Sequence, residues 1–146
     1  MNLHAFLPYQ LAVAADTVSR ALAVVYADRF SLSRDEWRVL AWVAEEHDIT
    51  ATALGVRTGL DKMQVSRALA RMERDGLVER TPDLDDRRHL RVRLKAPGRA
   101  LYRKVVPMAQ AREAFLLEAL NVPERAAFDR ALAKLQARAQ QLLDQG

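Results

Sequence analysis

The fold is decided by residues 50–94, which read TATALGVRTGLDKMQVSRALARMERDGLVERTPDLDDRRHLRVRL. Thr50 is a hydroxyl residue placed to cap a short helix over residues 51–57. Gly59 follows and can adopt the positive φ angle that a tight turn needs. The apolar face of this predicted helix comes from Ala51, Leu54 and Val56. This part of the stretch therefore predicts a short helix followed by a turn.

A second helix begins directly after that turn. Asp61 and Gln64 have the spacing of a capping box, in which each side chain binds the backbone of the other residue. Gly76 suits the position that follows the last helical turn. The buried face recurs with helical spacing at Val65, Ala68, Leu69 and Met72. Two short helices joined by a tight turn indicate a helix-turn-helix.

The hydrophobic period changes after Gly76. Residues 77–80 are short and strand-like, and residues 81–86 form a polar turn. Residues 90–94 alternate strictly between apolar and charged side chains, as a half-buried strand does. The two strands predict a β-hairpin with a charged tip, which makes the unit a winged helix-turn-helix.

Helices are predicted on both sides of this unit. Ser33 and Glu36 fit a capping box for a helix that ends near Glu46, with Trp37, Leu40, Ala41 and Ala44 on its core face. Ile49 falls in a brief extended segment, and residues 97–98 open another helix. The fold class is therefore mainly α with a small β-hairpin wing.

The two terminal helices carry wide apolar stripes with nearly heptad spacing. In the first helix the stripe consists of Leu7, Leu11, Ala14, Val18, Leu22 and Val25. In the last helix it consists of Phe128, Leu132, Leu135, Ala139 and Leu142. Such stripes are typical of ordinary core-facing helices and of helix–helix seams.

The composition narrows the classes of function. The 146 residues contain no cysteine, which excludes disulfides, thiolate zinc sites and thiol nucleophiles in this chain. No apolar run approaches about 18 residues, and no cleavable leader pattern is present, so a cytoplasmic protein is expected, without a membrane partner. The three histidines are scattered, so no metal site and no cofactor are expected. There is also no nucleophile elbow, phosphate-binding glycine loop or HExxH pair, which argues against an enzyme.

The outer face of the second helix carries residue types that read base edges and bind phosphates. These are Lys62, Gln64, Ser66, Arg67 and Arg71. In the hairpin, Asp86 precedes Arg87 and Arg88, and Arg91 and Arg93 follow. An arginine extending from the tip, with Asp86 as its brace, suits the narrow minor groove of A·T-rich DNA.

Other interpretations fit single pieces of this pattern. A cationic helix face is often only solvated, and a winged helix can bind protein within a larger assembly. The order and spacing of capped helix, hairpin and tip arginines are what one DNA-binding module needs. The combination therefore favours a double-stranded DNA partner.

The chain resembles the MarR family of bacterial transcription regulators. The resemblance lies in LSRDEWRVL (32–40), residues 51–81, DLDDRRHLRVRL (83–94) and PGRALY (97–102). Within residues 51–81, the stretch VSRALARMERDGLVER, followed by the DDRR wing, is specific to that family.

The resemblance implies one MarR-type domain over residues 1–146, with a DNA-binding lobe at 32–96 and dimerisation helices at 1–30 and 97–146. It implies a homodimer that binds a pseudo-palindromic operator. The recognition helix is then residues 61–75, and the wing contributes Asp86, Arg87 and Arg88. Arg88 is then the minor-groove residue. The side chains assigned to the dimer seam are Leu11, Val18, Leu22, Phe128, Leu132, Leu135 and Leu142.

The resemblance also implies release of DNA by a small phenolic or aromatic acid, with repression as the commoner mode of regulation. The stretches at residues 7–11 and 60–69 are similar to a branch tied to aromatic-acid catabolism, whose effectors include hydroxycinnamoyl-CoA thioesters. Arg20 is a candidate anion anchor for such an effector, or the partner of Asp16 one helical turn away. Trp42 is a candidate pocket wall, or simply a core residue.

Overall fold

The computed structural model describes all residues, 1–146, as two compact units, Met1–Ala109 and Gln110–Gly146. A single 3₁₀ turn, Leu3–Ala5, precedes the regular elements. These are α1 (Leu7–Phe30), α2 (Arg34–Glu46), β1 (Ile49–Thr50), α3 (Ala51–Thr58), α4 (Lys62–Arg74), β2 (Val78–Pro82), β3 (Leu90–Leu94), α5 (Ala96–Leu117) and α6 (Val122–Gln145). The predicted order of elements and the mainly helical winged helix-turn-helix fold class are confirmed.

The helix-turn-helix forms as its local sequence signals predict. The Thr50 hydroxyl accepts a hydrogen bond from the Ala53 amide at 3.1 Å and caps α3. At the start of α4, Asp61 accepts from the Gln64 amide at 2.8 Å, and Gln64 accepts from the Asp61 amide at 3.0 Å. Gly59 has a φ of 73°, so the turn between the helices uses the left-handed region that glycine tolerates.

Three local predictions are wrong. Ser33 caps α2 through the Glu36 amide, but the Glu36 carboxylate does not return to the cap, because it pairs with Arg71 on α4. Val56 is 75% exposed and contributes nothing to the core, since α3 is only eight residues long and buries Leu54 alone. The polar turn begins later than expected, because β2 continues through Thr81 and Pro82.

The wing belongs to a three-stranded antiparallel sheet with the strand order β1-β3-β2. In the hairpin, Val78 lies opposite Leu94, and the pairing continues to Pro82 opposite Leu90. On the other edge of β3, Ile49 lies opposite Val92. The wing is thus anchored to the segment that connects α2 with α3.

The core of the first unit lies between α2, α3, α4 and the sheet. Its largest fully buried apolar side chains are Leu40, Leu54, Leu69, Met72, Val39, Val43, Val78, Val92 and Val105. Within α2, Val39 and Val43 are fully buried, whereas Trp37 is only half-buried. Packing of α2 against α4 fixes the orientation of the second helix of the helix-turn-helix.

Much of the apolar stripe of α1 is exposed in the single chain. Val25 is buried and Leu22 is half-buried, but Leu7, Leu11 and Val18 are exposed. None of the helices combines the length and hydropathy that crossing a lipid bilayer requires.

The second unit contains the last turns of α5 and all of α6. A reciprocal capping box between Asn121 and Glu124 starts α6, as the helix-start signal predicts. Along α6, Phe128, Leu135 and Leu142 are exposed, and Leu132 is half-buried.

Candidate DNA-binding surface

The helix α4 has one face in the core and one in solvent. Lys62, Ser66 and Arg67 are exposed on the outer face, and their side chains make no ion pair or hydrogen bond with the protein. These three side chains present two cations and a hydroxyl that are not engaged by protein groups. They can therefore contact phosphate oxygens or base edges without breaking an existing interaction.

Met63 also lies on this outer face, and the sequence analysis did not select it. It is 61% exposed in the first turn of α4, next to Lys62. A long apolar side chain is costly to expose to water but suits contact with a thymine methyl group. The sequence could have revealed this exposed methionine, because position 63 does not share the helical spacing of the buried residues of α4.

Gln64 has a structural task at the start of α4. Its side-chain oxygen accepts the Asp61 amide at 3.0 Å, which completes the capping box. The cap holds the amide group beside the first turn and leaves its NH₂ group able to donate. Gln64, which the sequence predicts to contact DNA bases, therefore also stabilises the start of the helix.

Arg71 differs from the other predicted DNA-binding residues because it is tied to the core. Its Nη1 lies 3.3 Å from Oε1 of Glu36, whose side chain is only 3% exposed, whereas that of Arg71 is 53% exposed. A buried carboxylate requires a compensating partner, and Arg71 provides it. The pair links α2 to α4 and offsets part of the positive charge on the outer face.

Replacing Arg71 by alanine is expected to lower the free energy of unfolding by about 2 kcal/mol, because Glu36 then stays buried without its partner. Chemical denaturation at fixed protein concentration measures this loss. Arg74→Ala on the same helix is the control, since Arg74 is well exposed and lies 3.8 Å from its carboxylate partner Asp75. The double variant Arg71→Ala with Glu36→Gln should recover most of the stability. Equal stability of Arg71→Ala and Arg74→Ala would contradict the structural role of the pair.

The tip of the wing holds one arginine in a defined orientation. The Asp86 carboxylate accepts hydrogen bonds from Nε and Nη2 of Arg88, both at 3.0 Å, and from the Arg88 amide at 3.1 Å. These hydrogen bonds hold the pKa of Asp86 below its ordinary value. The Arg88 side chain nevertheless remains 88% exposed. Asp86 thus orients Arg88 while leaving most of the guanidinium accessible.

The other two residues at the tip are less constrained. Arg87 is exposed, and its side chain makes no ion pair or hydrogen bond with the protein. The Nε2 of His89 lies 3.4 Å from Oδ2 of Asp86. The tip therefore presents Arg87 and Arg88 to solvent, with the Asp86 carboxylate beside Arg88.

The two arginines of β3, at the base of the wing, form hydrogen bonds within the protein. Arg91 donates to the Asp83 carboxylate at 3.0 Å and to the Asp48 carbonyl at 3.2 Å. Arg93 donates to both carboxylate oxygens of Asp48, at 3.2 and 3.3 Å. The Arg93 hydrogen bond is the main reason why the pKa of Asp48 lies below its ordinary value. These charges brace the hairpin against the α2–α3 connection, a role of Asp48 that the sequence analysis missed.

Each of the two candidate effector contacts has a partner within the protein. Arg20 lies 2.9 Å from Asp16, the i,i+4 pair that was the alternative interpretation, and its side chain is exposed. Asp16 also accepts from Arg34 at 3.0 Å. Trp42 is half-buried and packs against the core, and the Arg57 guanidinium lies 5.8 Å from its ring centroid. An effector role for Arg20 or Trp42 remains a prediction.

Comparisons with known proteins agree with this architecture. A family model described as "MarR family" matches residues 30–89, which contain the helix-turn-helix and most of the wing. A MarR/EmrR family transcriptional regulator from Acinetobacter sp. ADP1 superposes with a TM-score of 0.87 and 25% identity, over 97% of this chain and 99% of that chain. A MarR family regulator from Silicibacter pomeroyi has a TM-score of 0.78 and 28% identity, over 94% and 92% of the two chains.

Over residues 30–89 the chain resembles the MarR family, and its fold matches those of two solved regulators of that family. Among the curated relatives is the homoprotocatechuate degradative operon repressor of Escherichia coli, 34% identical over 76 residues. That alignment covers 52% of this chain and 51% of the repressor, so the chain spans about half the length of this curated relative.

Proposed function

We propose that this chain is a MarR-type transcription regulator that binds a pseudo-palindromic DNA operator as a homodimer. The observation that carries the proposal is that two elements, α4 and the wing, both present exposed cations. The outer face of α4 presents Lys62 and Arg67 without protein partners, and the wing presents Arg88, oriented by Asp86. A helix and a wing that both present exposed cations are what a duplex requires of a winged helix-turn-helix.

In the proposed complex, α4 enters the major groove, which is wide enough to admit a helix. Arg67 and Ser66 then face base edges or phosphates, and Met63 is placed to contact a thymine methyl group. Arg88 enters the adjacent minor groove, where a narrow A·T-rich segment has the most negative potential. Arg71 contributes through phosphate contact while it remains paired with Glu36.

The exposed apolar stripes of the terminal helices support the homodimer. Large apolar side chains that stay exposed in a single chain and line up along one helix face favour a protein–protein interface. We assign the dimer seam to the sequence-predicted side chains Leu11, Val18, Leu22, Phe128, Leu132, Leu135 and Leu142. Two α4 helices related by a two-fold axis would then reach successive major grooves, about 34–36 Å apart.

We further propose that the protein is a repressor released by an aromatic acid or its CoA thioester. The relative that is 34% identical over 76 residues is named as the repressor of an operon for degrading homoprotocatechuate, an aromatic acid. An effector lowers DNA affinity only by preferring a dimer conformation that fits the operator poorly. Effector and operator must therefore each weaken binding of the other by the same factor.

A footprint of the purified protein on the DNA upstream of its own gene tests this function. We expect a protected two-fold-symmetric site whose affinity falls as the salt concentration rises, because bound arginines displace counterions. The same assay with a panel of aromatic acids and their CoA thioesters should reveal one compound that removes protection. Protection that spreads without a boundary, at every salt concentration, would contradict sequence-specific binding.

Replacing Arg88 by alanine is expected to weaken operator binding by about 1–3 kcal/mol and to relax the A·T preference at the flanks of the site. Electrophoretic mobility titration with operators that differ only in the flanks measures both effects. Arg130→Ala is the matched control, because it removes an exposed arginine on α6 and changes the net charge equally. If Arg88→Ala and Arg130→Ala bind alike, the wing makes no contribution to recognition.

A further inference from the structure

Met63 is the one large apolar side chain that α4 exposes. The other exposed residues of this helix are charged or small, and its remaining long apolar side chains, Val65, Leu69 and Met72, are buried. Met63 itself is 61% exposed. A single exposed apolar side chain carries no function by itself, because folded proteins expose many of them. The place of Met63 within α4 is what gives it one.

The first turn of α4 holds Met63 in a defined position. The reciprocal capping box between Asp61 and Gln64, at 2.8 and 3.0 Å, fixes the backbone on both sides of it. Side chains of an α-helix lean toward its N-terminal end, the end at which a recognition helix reaches base edges. Arg67 comes four residues later and therefore lies on the same face, one turn further along. In the proposed complex, Met63 and Arg67 thus extend from one face of α4 toward the duplex.

The chemistry of this side chain restricts what it can contact in DNA. A thioether has no charge and no hydrogen-bond donor, so contact with a phosphate would remove water from the phosphate oxygens without replacing it. The major-groove edges of adenine, guanine and cytosine present mainly donors and acceptors, for which the same cost applies. The C5-methyl group of thymine is the one apolar substituent in this groove. Methylation of cytosine at C5 places the same group at the same position of the ring.

We propose that Met63 reads the C5-methyl group of one pyrimidine in each operator half-site, whether that base is thymine or 5-methylcytosine. Methionine is suited to this contact because its side chain is long, flexible and polarisable. Methylation of a cytosine at that position then raises the affinity of the protein for its operator. This inference rests on the proposed function, because it requires α4 to lie in the major groove.

Replacement of single thymines by uracil tests the contact, because uracil lacks only the C5-methyl group. Each thymine of the operator is replaced in turn, and the affinity is measured by fluorescence anisotropy. We expect one position per half-site at which uracil weakens wild-type binding about fourfold, and about fifteenfold when both half-sites carry it, as the burial of one methyl group per half-site predicts. At that position Met63→Ala should bind the two duplexes alike, whereas Met63→Leu, which keeps a large apolar side chain, should still distinguish them.

Lys62→Ala is the matched control in the same turn of α4. It removes a charge placed to bind phosphate, so it should weaken binding of both duplexes and leave their ratio unchanged. Because Met63 is exposed, Met63→Ala should not lower the melting temperature of the protein. A change in DNA shape caused by uracil would persist in Met63→Ala. The comparison therefore isolates the contact between Met63 and the methyl group.

Cytosine and 5-methylcytosine at the same position distinguish the two sources of the methyl group. With guanine opposite in both duplexes, the wild-type protein should bind the methylated one about fourfold more tightly, and Met63→Ala should bind the two alike. If no uracil weakens wild-type binding, or if Met63→Ala discriminates as the wild-type protein does, the contact is refuted. Discrimination against uracil without discrimination between the two cytosines would overturn the extension to methylated DNA. A protein that binds no operator at all would refute the proposed function, and this inference with it.

Discussion

Replacing Leu132 and Leu135 together by aspartate is expected to produce monomers that bind the operator at least about a hundredfold more weakly than the wild-type protein. Both leucines belong to the apolar stripe of α6, in which Leu135 is 40% exposed in the single chain. A seam that buries this stripe cannot accommodate two carboxylates, since an unpaired buried charge costs several kcal/mol. A monomer then contacts one half-site, and the contribution of the second half-site is lost.

Size-exclusion chromatography with light scattering, followed by an operator titration, measures both consequences. Ala133→Asp with Ala137→Asp is the matched control, because it adds the same two charges to α6 at exposed positions outside the stripe. That control should remain dimeric and bind DNA. A Leu132/Leu135 double variant that is dimeric and fully active would contradict the assignment of the seam to α6.

Replacing Gly98 by alanine is expected to cost about 3 kcal/mol or more of unfolding free energy. A Cβ atom at this position would clash with the Leu77 carbonyl oxygen and would lie 3.3 Å from Cδ2 of Leu94. The Leu77 carbonyl is held in place, because it accepts a hydrogen bond from the Lys95 amide at 2.9 Å, between the end of β3 and the start of α5. The added methyl group must displace the backbone, which places the cost at or above the usual range for overpacking.

Chemical denaturation at fixed protein concentration measures this loss, and Gly55→Ala is its control. Gly55 lies inside α3, where an added Cβ would meet only the Leu60 carbonyl oxygen, at 3.4 Å. Alanine is about 0.5–1 kcal/mol more favourable than glycine inside a helix, so Gly55→Ala should be neutral or stabilising. If Gly98→Ala is as stable as the wild-type protein, that result would contradict the close contact between Gly98 and the Leu77 carbonyl.

The features that could be predicted from the sequence are those with local signals. The caps at Thr50 and Asp61 are correct because each cap is decided by residues within one helical turn. Residues 90–94 alternate over their whole length, so β3 is predicted with its observed bounds. With only two residues, β1 is too short to show a period, so the sequence indicates no more than a brief extended segment at Ile49, and pairing with β3 makes that segment a strand.

The contacts that could not be predicted join residues that are distant in the sequence. Glu36 fits a capping box by its spacing, but the core presents Arg71 to it, and burial makes that ion pair the better partner. Gly98 was recognised only as part of a helix start, since nothing nearby in the sequence reveals the approach of Leu77.

In the candidate DNA-binding surface, too, contacts between residues distant in the sequence could not be predicted. Residue type and helical spacing select the outer face of α4, but they do not separate free cations from paired ones. Arg67 is free, whereas Arg71 is paired with Glu36. In the wing, Arg88 is exposed at the tip, whereas Arg93 braces the base against Asp48. Tertiary contacts decide which arginines remain available to bind DNA. The spacing of residues along the sequence does not reveal these contacts.

The central claim is that two copies of α4 and the wing read a symmetric DNA site. Selection of bound sequences from a pool of random duplexes by the purified wild-type protein, with sequencing of the enriched pool, tests it most directly. The account predicts an enriched inverted repeat whose half-sites are centred about 10–10.5 base pairs apart and flanked by A·T pairs. A pool that stays random after repeated rounds, or a single enriched half-site without symmetry, would contradict it.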